Sequence, residues 1–218
     1  MALRLLPFRQ YDEHDVVNMY SLEISTFTDA IENPDLDGGN ADGVLVSTVR
    51  GDLNSDPVRF SEKNPTNEIT FKSHPSPVGR NMYPFTYNYV KAVTEYTDKV
   101  LGVTLNQTLK YDENGEPLQY RAEKRDELQA VLPYKTVPIA TRGLFTFNAN
   151  AFYTGDTFSV GTSLMGANNA APQGVFRNYD TTSFRVRGDK IGTILATGSR
   201  AADDAYAGNY YLVKLDCT

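Results

Sequence analysis

Apolar and polar residues alternate most regularly between Val131 and Val160. There Val137 and Ile139 are followed by Leu144, Phe145 and Phe147, the period of two that a half-buried strand requires, with turn signals at Gly143 and at Gly155-Asp156. The pattern predicts a strand, a turn and a second strand. A matching half is expected between Phe184 and Leu215, where Phe184, Val186, Ile191, Ile194 and Leu195 are interrupted by Gly188-Asp189 and Tyr210–Leu215 closes the pattern. Upstream, strands are predicted over Val44–Val49, Glu68–Lys72, Phe85–Val93 and Val100–Leu109. The last of these leads into Asn114-Gly115, which favours the positive φ angles of a tight hairpin. Gln119–Ala130 is the one polar helix candidate, with Arg121, Glu123, Lys124, Arg125, Asp126 and Glu127 bunched together; a strand with a charged outer side competes. Tyr11–Asp29 is also open. Asp12, Glu13 and Asp15 could cap a short helix, whereas Leu22, Ile24 and Phe27 suit a strand.

Strands and turn signals at this spacing predict a mainly β fold, a small β-barrel or sandwich with long loops, an extended N-terminal arm and little helix. Residues 1–11 are expected to be the arm. Residues 12–218 are expected to be a single β-rich domain with an elaborated middle region over residues 54–130. Within the arm Leu3, Leu5, Leu6 and Phe8 are apolar, while Pro7 rules out a central strand or helix. A terminus with so many large apolar groups should dock, either onto the body of the protein or onto a neighbouring subunit.

An internal echo supports one bent β body. Asp98-Lys99-Val100-Leu101-Gly102-Val103-Thr104-Leu105 parallels Asp189-Lys190-Ile191-Gly192-Thr193-Ile194-Leu195, apart from one residue of slip. Glycine inside a strand marks a bulge or a close backbone approach, as at the corner of a small barrel. Val-Arg-Gly-Asp also occurs twice, at 49–52 and 186–189, where Gly-Asp is ordinary turn chemistry.

Composition changes the picture mainly by exclusion. Twenty-one Lys and Arg against 27 Asp and Glu leave a net charge of −6, which argues against a general nucleic-acid binder. The single cysteine, Cys217, cannot make an internal disulfide, so packing or assembly must supply stability. The opening MALRLLPFRQ does not read as a signal peptide, and no apolar run approaches the ~20 residues of a membrane helix. Production in a host cytoplasm is therefore expected, with no membrane partner.

Candidate chemistry is sparse. His14 and His74 are the only histidines, and neither has metal-ligand spacing with Cys217. Asn33–Gly43 looks like a calcium loop at first sight, but the twelfth position counted from Asp35 is Val46 rather than Glu. No nucleophile elbow, phosphate loop or dinucleotide fingerprint is present. Asp203-Asp204 lies in an Ala-rich loop where adjacent acids are ordinarily solvated. These residues give no catalytic, cofactor or metal assignment. What remains is surface: Tyr83, Tyr87, Tyr89, Tyr96, Tyr111, Tyr120 and Tyr134 crowd the middle third, in keeping with interfaces as well as with a core.

The segments Ile139-Ala140-Thr141-Arg142-Gly143-Leu144-Phe145, Gly155-Asp156, Ile191-Gly192-Thr193-Ile194-Leu195-Ala196 and Tyr211-Leu212-Val213-Lys214-Leu215 together resemble the small β-barrel decoration or cement proteins of tailed-phage capsids. The opening LLPFRQYDEHDVVNMYSLE is similar to openings of structural proteins from marine and cyanobacterial phages. The middle region is longer than in compact members of that group. The resemblance implies a non-enzymatic virion protein on the outer surface of an icosahedral head, cementing neighbouring major capsid subunits. It also implies the coat protein as partner, with self-association as a trimer a further option. On this reading Leu3, Leu5, Leu6, Phe8 and Tyr11 are the capsid-interface candidates. Two rivals remain: a tail or fibre module that binds a host glycan or receptor, and a carbohydrate-active enzyme using loop carboxylates. A Tyr-lined open groove would favour the first rival, and a close buried carboxylate pair the second. Under the cement reading, deleting residues 1–10 should leave a folded barrel and weaken attachment.

Overall fold

The alternation at Arg142–Asn148 builds the middle of a six-stranded sheet. The structure, a computed structural model, describes residues 4–23, 42–50, 88–95, 97–112, 114–133, 135–166, 173–179, 189–202 and 207–217. The predicted strand at Glu68–Lys72, His74 and Asp203-Asp204 lie outside them. The first sheet is ordered β1 (Leu5–Gln10), β10 (Arg142–Asn148), β14 (Gly208–Asp216), β13 (Gly192–Arg200), β11 (Ser163–Met165) and β12 (Arg177–Asn178). All its pairings are antiparallel. The second is ordered β2 (Val16–Val17), β9 (Ile139–Ala140), β6 (Val100–Thr104), β4 (Leu45–Arg50), β5 (Tyr89–Ala92) and β3 (Ser21–Leu22). A short parallel pair, β7 (Gln107–Thr108) with β8 (Ala130–Val131), lies beside helix α1 (Ala122–Glu127). The fold is mainly β, with a curled sheet and little helix.

The stretch Val131–Val160 forms no hairpin at Gly143. The chain leaves β9 in the second sheet, passes Thr141, and continues as β10 in the first. Ile139 and Phe145 thus share a periodicity while lying in different layers. Of the expected C-terminal half, Phe184–Gly188 lies outside the described residues, and the rest pairs with this stretch: β10 lies against β14, and β14 against β13, with Phe145 opposite Val213 and Val213 opposite Ile194.

Inward-facing residues of both sheets make one core. Leu5, Phe145, Phe147, Leu164, Ile194, Val213 and Leu215 meet Leu45, Val93, Val103 and Ala140. Each fully buried large side chain contributes about 1.5–3 kcal/mol. At the centre Phe147 meets Phe176 edge-on at 4.9 Å, while Phe152 packs against Tyr211 at 4.5 Å and Phe158 at 4.9 Å. The second sheet is buried on its other face as well, through Val44, Val46, Val90, Ala92, Val137 and Ile139. That explains why Val44-Leu45-Val46 reads as a continuous apolar run rather than an alternation.

The two echo glycines mark close backbone approach. A Cβ at Gly102 would run into the Ala140 carbonyl, and one at Gly192 into that of Lys214. Both strands are irregular nearby: pairing shifts register opposite Gly102 between Val46 and Ser47, and in β13 between Ile194 and Ala196.

Local signals near the termini resolve simply. Asp12 accepts the His14 amide at 2.9 Å and caps one 3-10 turn, Glu13–Asp15, before β2 begins. The polar helix candidate becomes a 3-10 turn, Leu118–Tyr120, followed by α1, shorter than Gln119–Ala130. A turn forms at Asn114-Gly115, but it closes an isolated bridge and not a hairpin of two strands, and of the two residues Gly115 alone has positive φ. Gly115 has φ 79°, Tyr111 bridges to Pro117, and Asp112 accepts the amides of Asn114 and Glu116 at 2.9 and 2.8 Å. Leu5–Gln10 is an edge strand of the first sheet, where Pro7 is tolerated, and pairing shifts register between Leu5 and Arg9.

Candidate functional site: an apolar sheet face and a polar cleft

Strand periodicity divides β1 into two sets of side chains. Leu5 points into the core. Leu6 and Phe8 join Ala196, Tyr210 and Leu212 along a groove on the outer face of the first sheet. Leu6 is buried, whereas Phe8 is 61% exposed. A shallower depression with Leu144 and Leu195 extends the same face, and Leu195 is 43% exposed. Cations rim it: Arg200 sits 5.7 Å over the Tyr210 ring, Lys214 is exposed, and Arg142 reaches Asp216 at 3.4 Å. An apolar patch on the water side of a sheet is the surface feature that ordinarily marks a contact site.

Of the four capsid-interface candidates among the described residues, Phe8 is the most exposed. Tyr11 is partly exposed and stacks on Phe145 at 5.6 Å. Leu5 belongs to the core, Leu6 to the groove floor, and Leu3 lies outside the described residues.

A second concavity opens between β1 and the segments Leu105–Gln107 and Glu127–Gln129, with a volume of about 950 Å³. Its walls carry Arg9, Tyr11, Asp42, Asn106, Gln107 and Gln129. Arg9 crosses one end, donating to the Leu6 carbonyl at 3.3 Å and the Leu105 carbonyl at 3.2 Å. Asp42 is 5% exposed; burial pushes its carboxyl up to about 6, against the backbone amides of Asp42 and Leu5 and the charges of Arg4 and Arg9. Arg4 is itself buried, which lowers its pKa, while the Asp42 charge opposes that shift.

The Asp42 shift has a definite sign. Between pH ~4 and ~6 the folded protein holds a proton that the unfolded chain has released, so acidification stabilises the fold. The gain is fully present below the unfolded value of 3.8 and is lost as pH rises through about 6. Its size is roughly 3 kcal/mol. Urea unfolding at pH 7 and pH 5 should show the acid side more stable, and Asp42→Asn should remove that part of the slope; an unchanged slope in the variant would refute the assignment.

Sequence reasoning passed over Gln129 and Asp42. Gln129 follows the helix C-cap Leu128 and has φ 49°, the one positive value at a non-glycine residue among those described. Glycine is the default there. Asp42 lies at the end of the Asn33–Gly43 stretch, whose spacing carries no site signal, and only the fold brings the charges of Arg4 and Arg9 to it.

The remaining candidates are placed as follows. Among the described residues no group of three or more His, Cys, Asp or Glu is arranged to hold a metal ion, and no helix is long and apolar enough to cross a membrane. His14 is exposed in its 3-10 turn. Burial, with a smaller contribution from Asp216, pushes the Cys217 thiol up to about 12, so the nucleophilic thiolate is scarce at neutral pH. Tyr89, Tyr111 and Tyr120 do not line the cleft, and Tyr83, Tyr87, Tyr96 and Tyr134 lie outside the described residues. Asp42 and Glu127 both line the cleft, but the charges acting on Asp42 are those of Arg4 and Arg9. Comparison with protein-family models, with curated proteins and with solved structures finds no match.

Proposed function

We propose that this chain is a non-enzymatic virion structural protein that binds the outer surface of an icosahedral phage head and cements neighbouring major capsid subunits. The observation that carries the reading is the outer face of the first sheet, where Phe8 stands 61% exposed beside Leu212 and Tyr210. A stiff antiparallel sheet presents such a face with little ordering cost on binding. Many identical copies on a lattice would multiply modest contacts. Of the short cement-like motifs, Arg142–Phe145, Gly192–Ala196 and Tyr211–Leu215 fall in strands of this sheet, while Ile139–Ala140 belongs to the second sheet. Trimer formation on the head belongs to the same proposal.

The test is to mix purified protein with undecorated heads and image the particles. Wild-type protein should decorate them. Phe8→Asp should keep the wild-type melting temperature, because the side chain is exposed, yet lower head occupancy about tenfold or more, the cost of placing a charge at an apolar contact centre. Bare heads with wild-type protein, or full decoration by Phe8→Asp, would overturn the proposal.

A further inference from the structure

We infer that the polar cleft between β1, Leu105–Gln107 and Glu127–Gln129 is a binding site for a neutral oligosaccharide. This inference does not rest on the head-binding reading.

Two buried acceptors have no hydrogen-bond partner among the described residues: Asp42 Oδ1 and the side-chain oxygen of Gln107, on residues 5% and 8% exposed. Both residues line the cleft. An acceptor left without a donor in such a place ordinarily costs about 1–3 kcal/mol, so native structures seldom keep two together without a use. What fills the cleft must therefore bring donors.

The rest of the lining narrows the class. Asn106, Gln107 and Gln129 supply carboxamides, each able to donate and accept, and Arg9 adds donors. A hydroxyl also does both, so a polyol matches this mixture better than a carboxylate, a phosphate or an ammonium group. The lining itself carries Arg9 against Asp42 and Glu127, and Arg4, buried outside the lining, adds a second positive charge acting on Asp42, so an anionic ligand gains no advantage. Tyr11 adds a partly exposed ring, held in place by stacking on Phe145, as a platform for the C–H face of a sugar. A volume of about 950 Å³ stands at the upper end of the ordinary range for ligand sites and accommodates more than one ring.

Gln129 supplies a separate argument. At the position after a helix C-cap the left-handed conformation is easiest for glycine, yet the chain carries Gln there at φ 49°. Local rules are broken in this way where a side chain is kept for what it contacts. The side chain kept here is a carboxamide on the cleft wall.

Saturation-transfer NMR with maltotetraose, cellotetraose and tri-N-acetylchitotriose at millimolar concentration, on the full chain, tests the inference. At least one of the three should receive saturation. Asn106→Ala and Gln129→Gly should each weaken that sugar roughly 3- to 10-fold, the loss of one or two hydrogen bonds. Gln129→Gly should do so while melting no lower than wild type, which separates lost contact from lost fold. Absence of transfer to all three sugars overturns the inference. So does binding that both variants leave unchanged, which would place the sugar elsewhere.

Discussion

Arg177→Met is expected to destabilise the protein by about 3–5 kcal/mol, although Arg177 lies in a two-residue strand near the sheet edge. Its guanidinium donates to Asp156 through Nε at 2.7 Å and through NH2 at 3.3 Å, and both side chains are under one-tenth exposed. Asp156 also accepts the Asn178 amide at 3.0 Å, and the guanidinium lies 3.8 Å from the centre of the Tyr153 ring. The pair therefore ties the Gly155-Asp156 turn to β12. Removing only the arginine leaves a carboxylate buried without its counter-charge, and that residue of the pair, more than the lost attraction, sets the size of the effect. The double variant Asp156→Asn, Arg177→Met should be less destabilised than Arg177→Met alone, because the stranded charge is gone. Urea unfolding of the three variants checks this; a double variant no better than the single would show that packing on Tyr153, not charge, dominates. Arg177→Lys should recover only part of the loss, since an ammonium has neither the two-pronged geometry nor the planar stack.

That pair shows where sequence and fold part company. The turn at Gly155-Asp156 is legible because Gly-Asp breaks an alternating run, yet its partner lies 21 residues away in a stretch with no periodicity of its own. Strand existence was legible wherever one face is wet, as in Arg142–Asn148. In the second sheet Val44, Leu45 and Val46 are all buried and alternation vanishes, yet the continuous apolar run still marks the strand at Leu45–Arg50. The layer change at Thr141 left no mark at all, because a strand that bends from one sheet into another keeps its period of two. The glycine echo is legible in the sequence, since only a missing Cβ lets Gly102 approach Ala140 so closely. The cleft was illegible for a different reason. Asn106, Gln107, Gln129 and Asp42 are each unremarkable in sequence, and what makes them a site is burial and convergence, which distant pairings create.

The burial of Leu5 and Leu6 changes the expectation for the N-terminus. A chain shortened to begin at Tyr11 is expected to be largely unfolded rather than a folded barrel with weakened attachment. Leu5 and Leu6 are 2% and 4% exposed, and Leu-to-Ala changes at such positions cost about 2–5 kcal/mol each. The truncation also uncovers β10 along the edge where Leu5 faces Phe147 and Arg9 faces Phe145. It removes Arg4 and Arg9, the two cations acting on the buried Asp42. Against a usual net stability of about 5–15 kcal/mol, the sum is enough to abolish the fold. Far-ultraviolet circular dichroism and thermal melting of the truncated chain, beside Phe8→Asp as the folded control, decide the matter. A cooperative melt near that of wild type would show that β1 is a dispensable strand and that Leu5 adds little to the core. Loss of the melt in the truncation, with Phe8→Asp intact, would separate the structural half of β1 from its exposed half. The segment that looked like a docking arm would then be core strand on one side and contact surface on the other.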